Sequence, residues 1–196
     1  MTILKEEKQA EIVVKKSRFI AIARICNDIF TVRTLVDQTR ALHPGANHVV
    51  HAAVIGNQFS FSDDREPKNT AGRPAFEVLK GSGISNICVL IVRYFGGTLL
   101  GTGGLVKAYG DSVKAVLDGI VTEEYVEKLS FSLSVSYDQY ETVKRVLASV
   151  NATVSSEDFG SEIEIKGLVP VSSSEKLQNC LSEISNGRLK AILTKN

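Results

Sequence analysis

Several classes of protein are excluded by what this sequence lacks. It has no tryptophan, only three cysteines and almost no excess of either charge, because 23 basic side chains face 22 acidic ones. The net charge of +1 excludes the strongly basic signature of a nonspecific nucleic-acid binder, although it leaves room for a local binding face. Cys26, Cys88 and Cys180 are odd in number, far apart and without a CxxC pair, which indicates neither a disulfide framework nor a zinc site. This pattern is typical of a reducing cytosol, so we expect a cytoplasmic protein.

Long hydrophobic runs are also missing. The longest apolar run, at 87–92, is far shorter than the roughly 18 residues of a membrane-spanning helix. The first residues mix both charges and hold no apolar stretch, so we expect no signal peptide and no membrane contact. With 43% hydrophobic and 23% charged residues, the 196-residue chain can bury a core as one large domain or two small ones.

Hydrophobic periodicity favours two α+β domains, at 1–128 and 129–196. In the first, the pattern predicts a bent strand or strand pair at 11–25, strands at 48–55, 58–61 and 86–94, and helices at 28–42, 73–80 and 104–117. The strand at 86–94 is almost continuously apolar, which is typical of a strand covered on both faces. In the second, the order strand, helix, strand, strand, helix, strand is that of a ferredoxin-like β-α-β-β-α-β unit.

A glycine cluster is the sharpest local feature. Five of the nine residues at 96–104 are glycine, directly after a predicted buried strand and before a predicted helix. Backbone N–H groups and a helix N-terminus at such a place can accept an anion. The cluster is neither a Walker A loop nor a GxGxxG motif. Glycines that allow close packing or a sharp turn are an equally weighted explanation.

Basic and aromatic residues surround this cluster in the sequence and can hold phosphates and stack bases. The alternative is that Arg93 ends a strand and extends to water while the tyrosines are half-buried. The candidate residues for binding phosphate, nucleic acid or another ligand are Arg73, Arg93, Tyr94, Gly96, Gly97, Gly101, Gly103, Gly104 and Lys107.

An acidic segment offers a second kind of chemistry. Asp63, Asp64 and Glu66 place three carboxylates within four residues, and such groups can bind Mg²⁺ or act as acid and base. In a loop they are more often turn residues and helix caps, which is the interpretation we favour. His48 and His51 have a metal-like spacing, but on a strand they face opposite sides. We therefore predict no metal site and no cofactor.

Several blocks in fixed order resemble the IMPACT/YigZ family. They are 62–74, 86–93 and 94–109, and the residues at 17–20 together with His48 match its early pattern. The resemblance implies an N-terminal domain similar to the second domain of a small-subunit ribosomal protein. It also implies a C-terminal domain like the ferredoxin-like end domain of elongation factor G. The chain has Val49 and Val50 where the family usually has Asn-Cys, and Arg65 where it usually has glycine.

The resemblance implies a function near translation. Our first hypothesis is a non-enzymatic binding protein that contacts RNA, a ribosome or a protein partner in translation control. An alternative is a Mg²⁺-dependent phosphoester hydrolase, or another enzyme, that uses Asp63, Asp64 and Glu66 with the turn at 96–104. A third hypothesis is a module that contacts other proteins, as the resemblance implies for eukaryotic members of the family. An exposed apolar patch would favour this hypothesis.

Overall fold

The chain forms two compact units, one that runs from Met1 to Tyr125 and one that begins at Val126. The computed structural model describes residues 1–195. Its mixture of five α-helices and three sheets within that range confirms the expected α+β class and two-domain organisation. No helix in the described part of the chain is long and apolar enough to cross a membrane.

The first unit contains eight strands and three helices. The strands are β1 (Thr2–Leu4), β2 (Lys8–Val14), β3 (Ser17–Ile25), β4 (His48–Ile55), β5 (Gln58–Ser62), β6 (Ile84–Ser85), β7 (Ile87–Tyr94) and β8 (Thr122–Glu124). The helices are α1 (Thr31–Leu42), α2 (Gly72–Gly81) and α3 (Gly101–Leu117).

A five-stranded antiparallel sheet organises this unit, in the order β2-β3-β7-β4-β5. The side chains of β7 alternate between its two faces: Val89 and Ile91 pack with α2 and α3, whereas Cys88 and Leu90 pack on the side of α1. Helices thus cover both faces, as the continuous apolar run predicts. Burial also raises the pKa of the Cys88 thiol.

A small second sheet was not predicted. It places β1 between β6 and β8, and Leu4 of β1 is buried. Strands of two or three residues carry no readable alternation, so periodicity does not detect them. The predicted strand at 11–25 is a hairpin that turns at Lys15 and Lys16, whose positive φ angles of 46° and 69° suit a tight two-residue turn.

The second unit confirms the ferredoxin-like order. Its elements are β9 (Lys128–Val135), α4 (Tyr140–Ser149), β10 (Thr153–Phe159), β11 (Ile163–Pro170), a 3₁₀ turn (Val171–Ser173), α5 (Ser174–Ser185) and β12 (Ile192–Lys195). The sheet is antiparallel in the order β10-β11-β9-β12. Val143 and Leu147 of α4 and Leu177 and Leu181 of α5 share one core with Phe131 of β9.

Candidate functional site

The predicted binding residues do not share one place in the first unit, and those that line a cavity are divided between two. The α3 N-terminal pocket has a volume of about 450 Å³, and its lining includes Arg93, Phe95, Glu66 and the helix start at Gly101. The α2–α3 groove, of about 530 Å³, is lined by side chains of both helices, including Arg73 and Lys107. Nearness in the sequence therefore does not translate into one shared site.

The glycines of the cluster have different structural roles. A side chain at Gly96 would overlap the backbone of Lys16, so this glycine permits a close approach of two chain segments. Gly97 and Gly101 have φ angles of +82° and +75°, in the region that favours glycine. A Cβ atom at Gly103 would meet nothing within 4 Å. Chain geometry thus accounts for Gly96, Gly97 and Gly101, in agreement with the explanation that these glycines allow close packing or a sharp turn.

The sequence pattern predicted that helix α3 begins at Gly104, but in the structure it begins at Gly101. Gly101, Thr102 and Gly103 therefore form its first turn, where N–H groups have no partner within the helix. The N-cap residue, Leu100, makes no side-chain hydrogen bond to this end. The uncapped N–H groups carry partial positive charge, and Gly101 and Thr102 lie on the wall of the pocket.

A buried polar network forms one side of the same pocket. One oxygen of Glu66, Oε1, accepts hydrogen bonds from Arg93 Nη1 and from the Tyr109 hydroxyl at 2.8 Å. His48 Nε2 lies 3.7 Å from that oxygen. Burial, reinforced by the Glu66 charge, raises the pKa of Tyr109, so the hydroxyl stays a donor. Arg93 is buried in an ion pair and does not extend to water, and Tyr109 is fully buried rather than half-buried.

The guanidinium of Arg93 is only partly satisfied. Its Cζ atom lies 5.5 Å from the ring centroid of Phe19 and 5.7 Å from that of Phe95. Its Nε is the only fully buried side-chain nitrogen or oxygen in residues 1–195 without a hydrogen-bond partner. Leaving a buried donor unpaired costs about 1–3 kcal/mol, and more for a charged group. Such an atom requires an explanation in a native structure.

Asp63 caps helix α2. Its Oδ1 accepts from the backbone N–H groups of Ala71 at 3.0 Å and Gly72 at 2.8 Å, and its Oδ2 accepts from that of Asn69 at 2.8 Å. The N–H groups of Ala71 and Gly72 are among those that the start of a helix leaves unsatisfied, and the bond to Asn69 ties down the loop before it. The helix-cap interpretation is confirmed for this residue.

Asp64 and Glu66 turn to different partners. Asp64 Oδ2 accepts from the Val49 N–H at 2.6 Å and pairs with Arg40 Nη2 at 2.9 Å, whereas Glu66 points into the network with Arg93. Across residues 1–195, no group of three or more His, Cys, Asp or Glu side chains is arranged to hold a metal ion. The three carboxylates therefore do not converge as the Mg²⁺ alternative requires.

The two histidines of β4 are also separated. His48 Nδ1 donates to the carbonyl oxygen of Asp64 at 2.8 Å, and His51 Nε2 contacts the Ser60 hydroxyl at 3.0 Å. Burial lowers the pKa of His51, and the charge of Asp64 opposes this effect. The geometry agrees with the expectation that residues three apart on a strand do not share one ion.

The α2–α3 groove carries exposed charges. Lys107 Nζ lies 2.7 Å from Asp111 Oδ2, Lys114 Nζ lies 3.4 Å from its Oδ1, and Arg73 Nε lies 4.0 Å from Glu77 Oε1. The hydrogen bond from Lys107 is the main reason that the pKa of Asp111 is lowered. Exposed pairs of this kind contribute only about 0.3–0.5 kcal/mol each. The cations can therefore change partners at little cost.

Tyr94 belongs to neither place. Its hydroxyl contacts His43 Nδ1 at 2.8 Å, and its ring lies against Arg18, away from the pocket lining. Sequence patterns missed Tyr109 as a partner of Glu66 and Phe95 as a pocket wall. The network joins residues 27 and 43 positions apart, and no local pattern reports such a contact.

Fold and site together define the class: a two-domain α+β protein whose first domain holds a partly apolar pocket beside a buried ion pair. The family model described as the Impact N-terminal domain matches residues 15–117, and one described as a domain of unknown function (DUF1949) matches residues 133–188. The chain belongs to the IMPACT family, as the sequence blocks implied.

Similar proteins support this assignment along most of the chain. The IMPACT family member YigZ of Escherichia coli K12 is 34% identical over 91% of this chain and 90% of its own length. An IMPACT family member of Haemophilus influenzae is 37% identical over 90% of this chain and 88% of its own. A crystal structure described as that of a hypothetical protein is 32% identical, with a TM-score of 0.74 over 100% of this chain and 97% of the other.

Proposed function

We propose that this member of the IMPACT family is a non-enzymatic, cytoplasmic binding protein that contacts RNA, alone or in a ribosome, and acts in translation control. The observation that carries the proposal is the set of exposed cations, Arg73, Lys107 and Lys114, that line the α2–α3 groove. Arg93 does not belong to this contact surface, because only 7% of its side chain is exposed.

The energetics of the groove suit a modest, local contact. Each cation is held by a weak surface pair, so that a phosphate oxygen can replace Glu77 or Asp111 as its partner. Phosphate binding also releases counterions from the nucleic acid, which favours the exchange at low salt. Because the whole chain has a net charge of only +1, long-range attraction adds little.

Filter binding over a series of salt concentrations, with single-stranded and double-stranded RNA, tests the proposal. Three phosphate contacts predict a slope of log affinity against log salt of about −2 for single strands. Replacing both Arg73→Gln and Lys107→Gln should weaken binding and make that slope shallower by about 1.4, since each contact contributes about 0.7.

The matched control removes the same two charge types from the second unit. Arg145→Gln together with Lys176→Gln changes two exposed helix positions and should leave the affinity for RNA unchanged. No binding, binding without salt dependence, or an equal loss in the control pair would contradict the proposal.

A protein partner is a second candidate, favoured by an exposed aromatic pair. Phe59 and Phe61 lie on β5, an edge strand of the large sheet, and are 60% and 38% exposed with stacked rings. An edge strand with apolar side chains can accept a strand of another protein. Affinity purification from nuclease-treated extract should then recover a partner protein with the unmodified chain. The Phe59→Asp variant should lose this partner, whereas Phe30→Asp, a control at another exposed phenylalanine, should retain it. Recovery that depends on intact RNA would contradict this candidate.

A further inference from the structure

Arg93 lines the α3 N-terminal pocket and has a donor that its ion pair with Glu66 leaves unused. Arg93 Nη1 is committed to Glu66, which fixes the orientation of the guanidinium. Nε, on the opposite edge, is buried and has no hydrogen-bond partner within residues 1–195. In an arginine, Nε–H and the adjacent Nη2 form the planar fork that can bind a carboxylate or phosphate through two oxygens.

A second, independent set of donors borders the same pocket. Helix α3 is 17 residues long and has no side-chain cap at its N-terminus. Gly101 and Thr102, at the start of the helix, line the pocket. Free N–H groups at a helix start attract negative charge, so both sets of donors favour the same kind of ligand.

The remaining walls are mainly apolar. Phe95 is 45% exposed and Leu99 is 83% exposed, and both line the pocket together with Leu100 and Leu105. A pocket of about 450 Å³ with apolar walls and a few polar groups is suited to a small organic molecule. Only 7% of the Arg93 side chain is exposed, which favours a small ligand over a polymer backbone, and the apolar walls favour an organic ligand over an inorganic ion.

We propose that the α3 N-terminal pocket binds a small organic anion, with a phosphate or carboxylate head group on the Arg93 fork and the helix start, and with an apolar ring against Phe95 and Leu99. This site is separate from the α2–α3 groove and does not depend on RNA binding. Arg93 and the helix start hold the head group, and Glu66 is a positioning residue that keeps the guanidinium in place.

Nuclear magnetic resonance titration of the full chain tests the pocket without any mutation. Phenyl phosphate and benzoate serve as probes, with inorganic phosphate, acetate and benzyl alcohol as controls that lack either the ring or the charge. At least one aromatic anion should bind tenfold more tightly than the controls and shift the Nε–H signal of Arg93 and the amides of Gly101 and Thr102. The tighter of the two probes identifies the head group. Equal affinity for inorganic phosphate, or no shift at these groups, would overturn the proposal.

Two exposed phenylalanines supply the variants. Phe95→Ala removes a pocket wall and should weaken binding of the aromatic anion at least fivefold, whereas Phe30→Ala, at a position outside the pocket, should leave it unchanged. The paired Arg73→Gln and Lys107→Gln changes should also leave it unchanged, which separates this site from the proposed RNA contact. An unaltered affinity in Phe95→Ala would contradict the assignment.

Discussion

Glu66 and Arg93 are the two charged side chains among the buried residues that the structure describes in the first unit. A buried ion pair gains little net stability, because removing two charges from water offsets most of their attraction. Removing only one partner is much worse and typically costs about 3–5 kcal/mol. The unpaired Nε of Arg93 adds a further unfavourable contribution. These costs are better explained by a binding role for the pocket than by stability alone.

The glycine cluster yields a prediction about individual residues. A methyl group at Gly96 would overlap the backbone of Lys16 and Ser17, whereas at Gly103 it would project into open space within helix α3. We expect Gly96→Ala to lower the free energy of unfolding by about 2–3 kcal/mol, as overpacking does. Gly103→Ala should instead raise it by about 0.5–1 kcal/mol, because alanine loses less backbone entropy in a helix.

Urea denaturation followed by far-ultraviolet circular dichroism measures both variants against the unmodified chain. The two glycines belong to the same cluster and receive the same substitution, so each is the control for the other. Equal stability of the two variants would show that the close approach of Gly96 to the Lys16 backbone does not restrict which residue can occupy this position.

At the scale of whole elements, periodicity located those that bury a clear apolar pattern. The long strand β7 and the hairpin β4–β5 lie where the pattern placed them. The start of α3 was placed too late because Gly101, Gly103 and Gly104 carry no side chain to extend an apolar stripe. Helix α1 begins at Thr31, after a turn in which Asp28 Oδ1 accepts from the Phe30 N–H at 3.0 Å. The helix predicted at 28–42 therefore starts three residues too early, inside this turn.

The candidate site was predictable only in part, because sequence patterns report neighbours along the chain and not contacts between distant segments. The sequence indicated Arg93 and the glycine turn, which lie next to each other along the chain. It also grouped Lys107 with them, although six helical residues rotate a side chain by about 240°. Lys107 accordingly lines the groove with α2 and not the pocket at Gly101. Contacts such as Tyr109 with Glu66 depend on how the sheet brings distant segments together.

At the scale of the whole molecule, the near balance of 23 basic and 22 acidic side chains limits what the protein can bind. Without a long-range field, recognition depends on short-range geometry at defined places. The two places that we propose in the first unit are the exposed α2–α3 groove and the pocket at Arg93. This separation explains why one local sequence cluster supports two different proposals.

The first unit ends at Tyr125, just after β8. Met1–Tyr125 includes β8, which pairs with β1, and the Tyr125 N–H donates to the Met1 carbonyl at 2.7 Å. The match to the family model ends earlier, at residue 117. We expect a fragment of residues 1–125 to fold alone and to unfold cooperatively, because it retains its own core and both sheets. A fragment of residues 1–117 loses the pairing of β8 and leaves one edge of β1 open, so its midpoint in urea should be lower. Equal midpoints would show that β8 contributes nothing to the unit, and failure of both fragments to fold would contradict its independence.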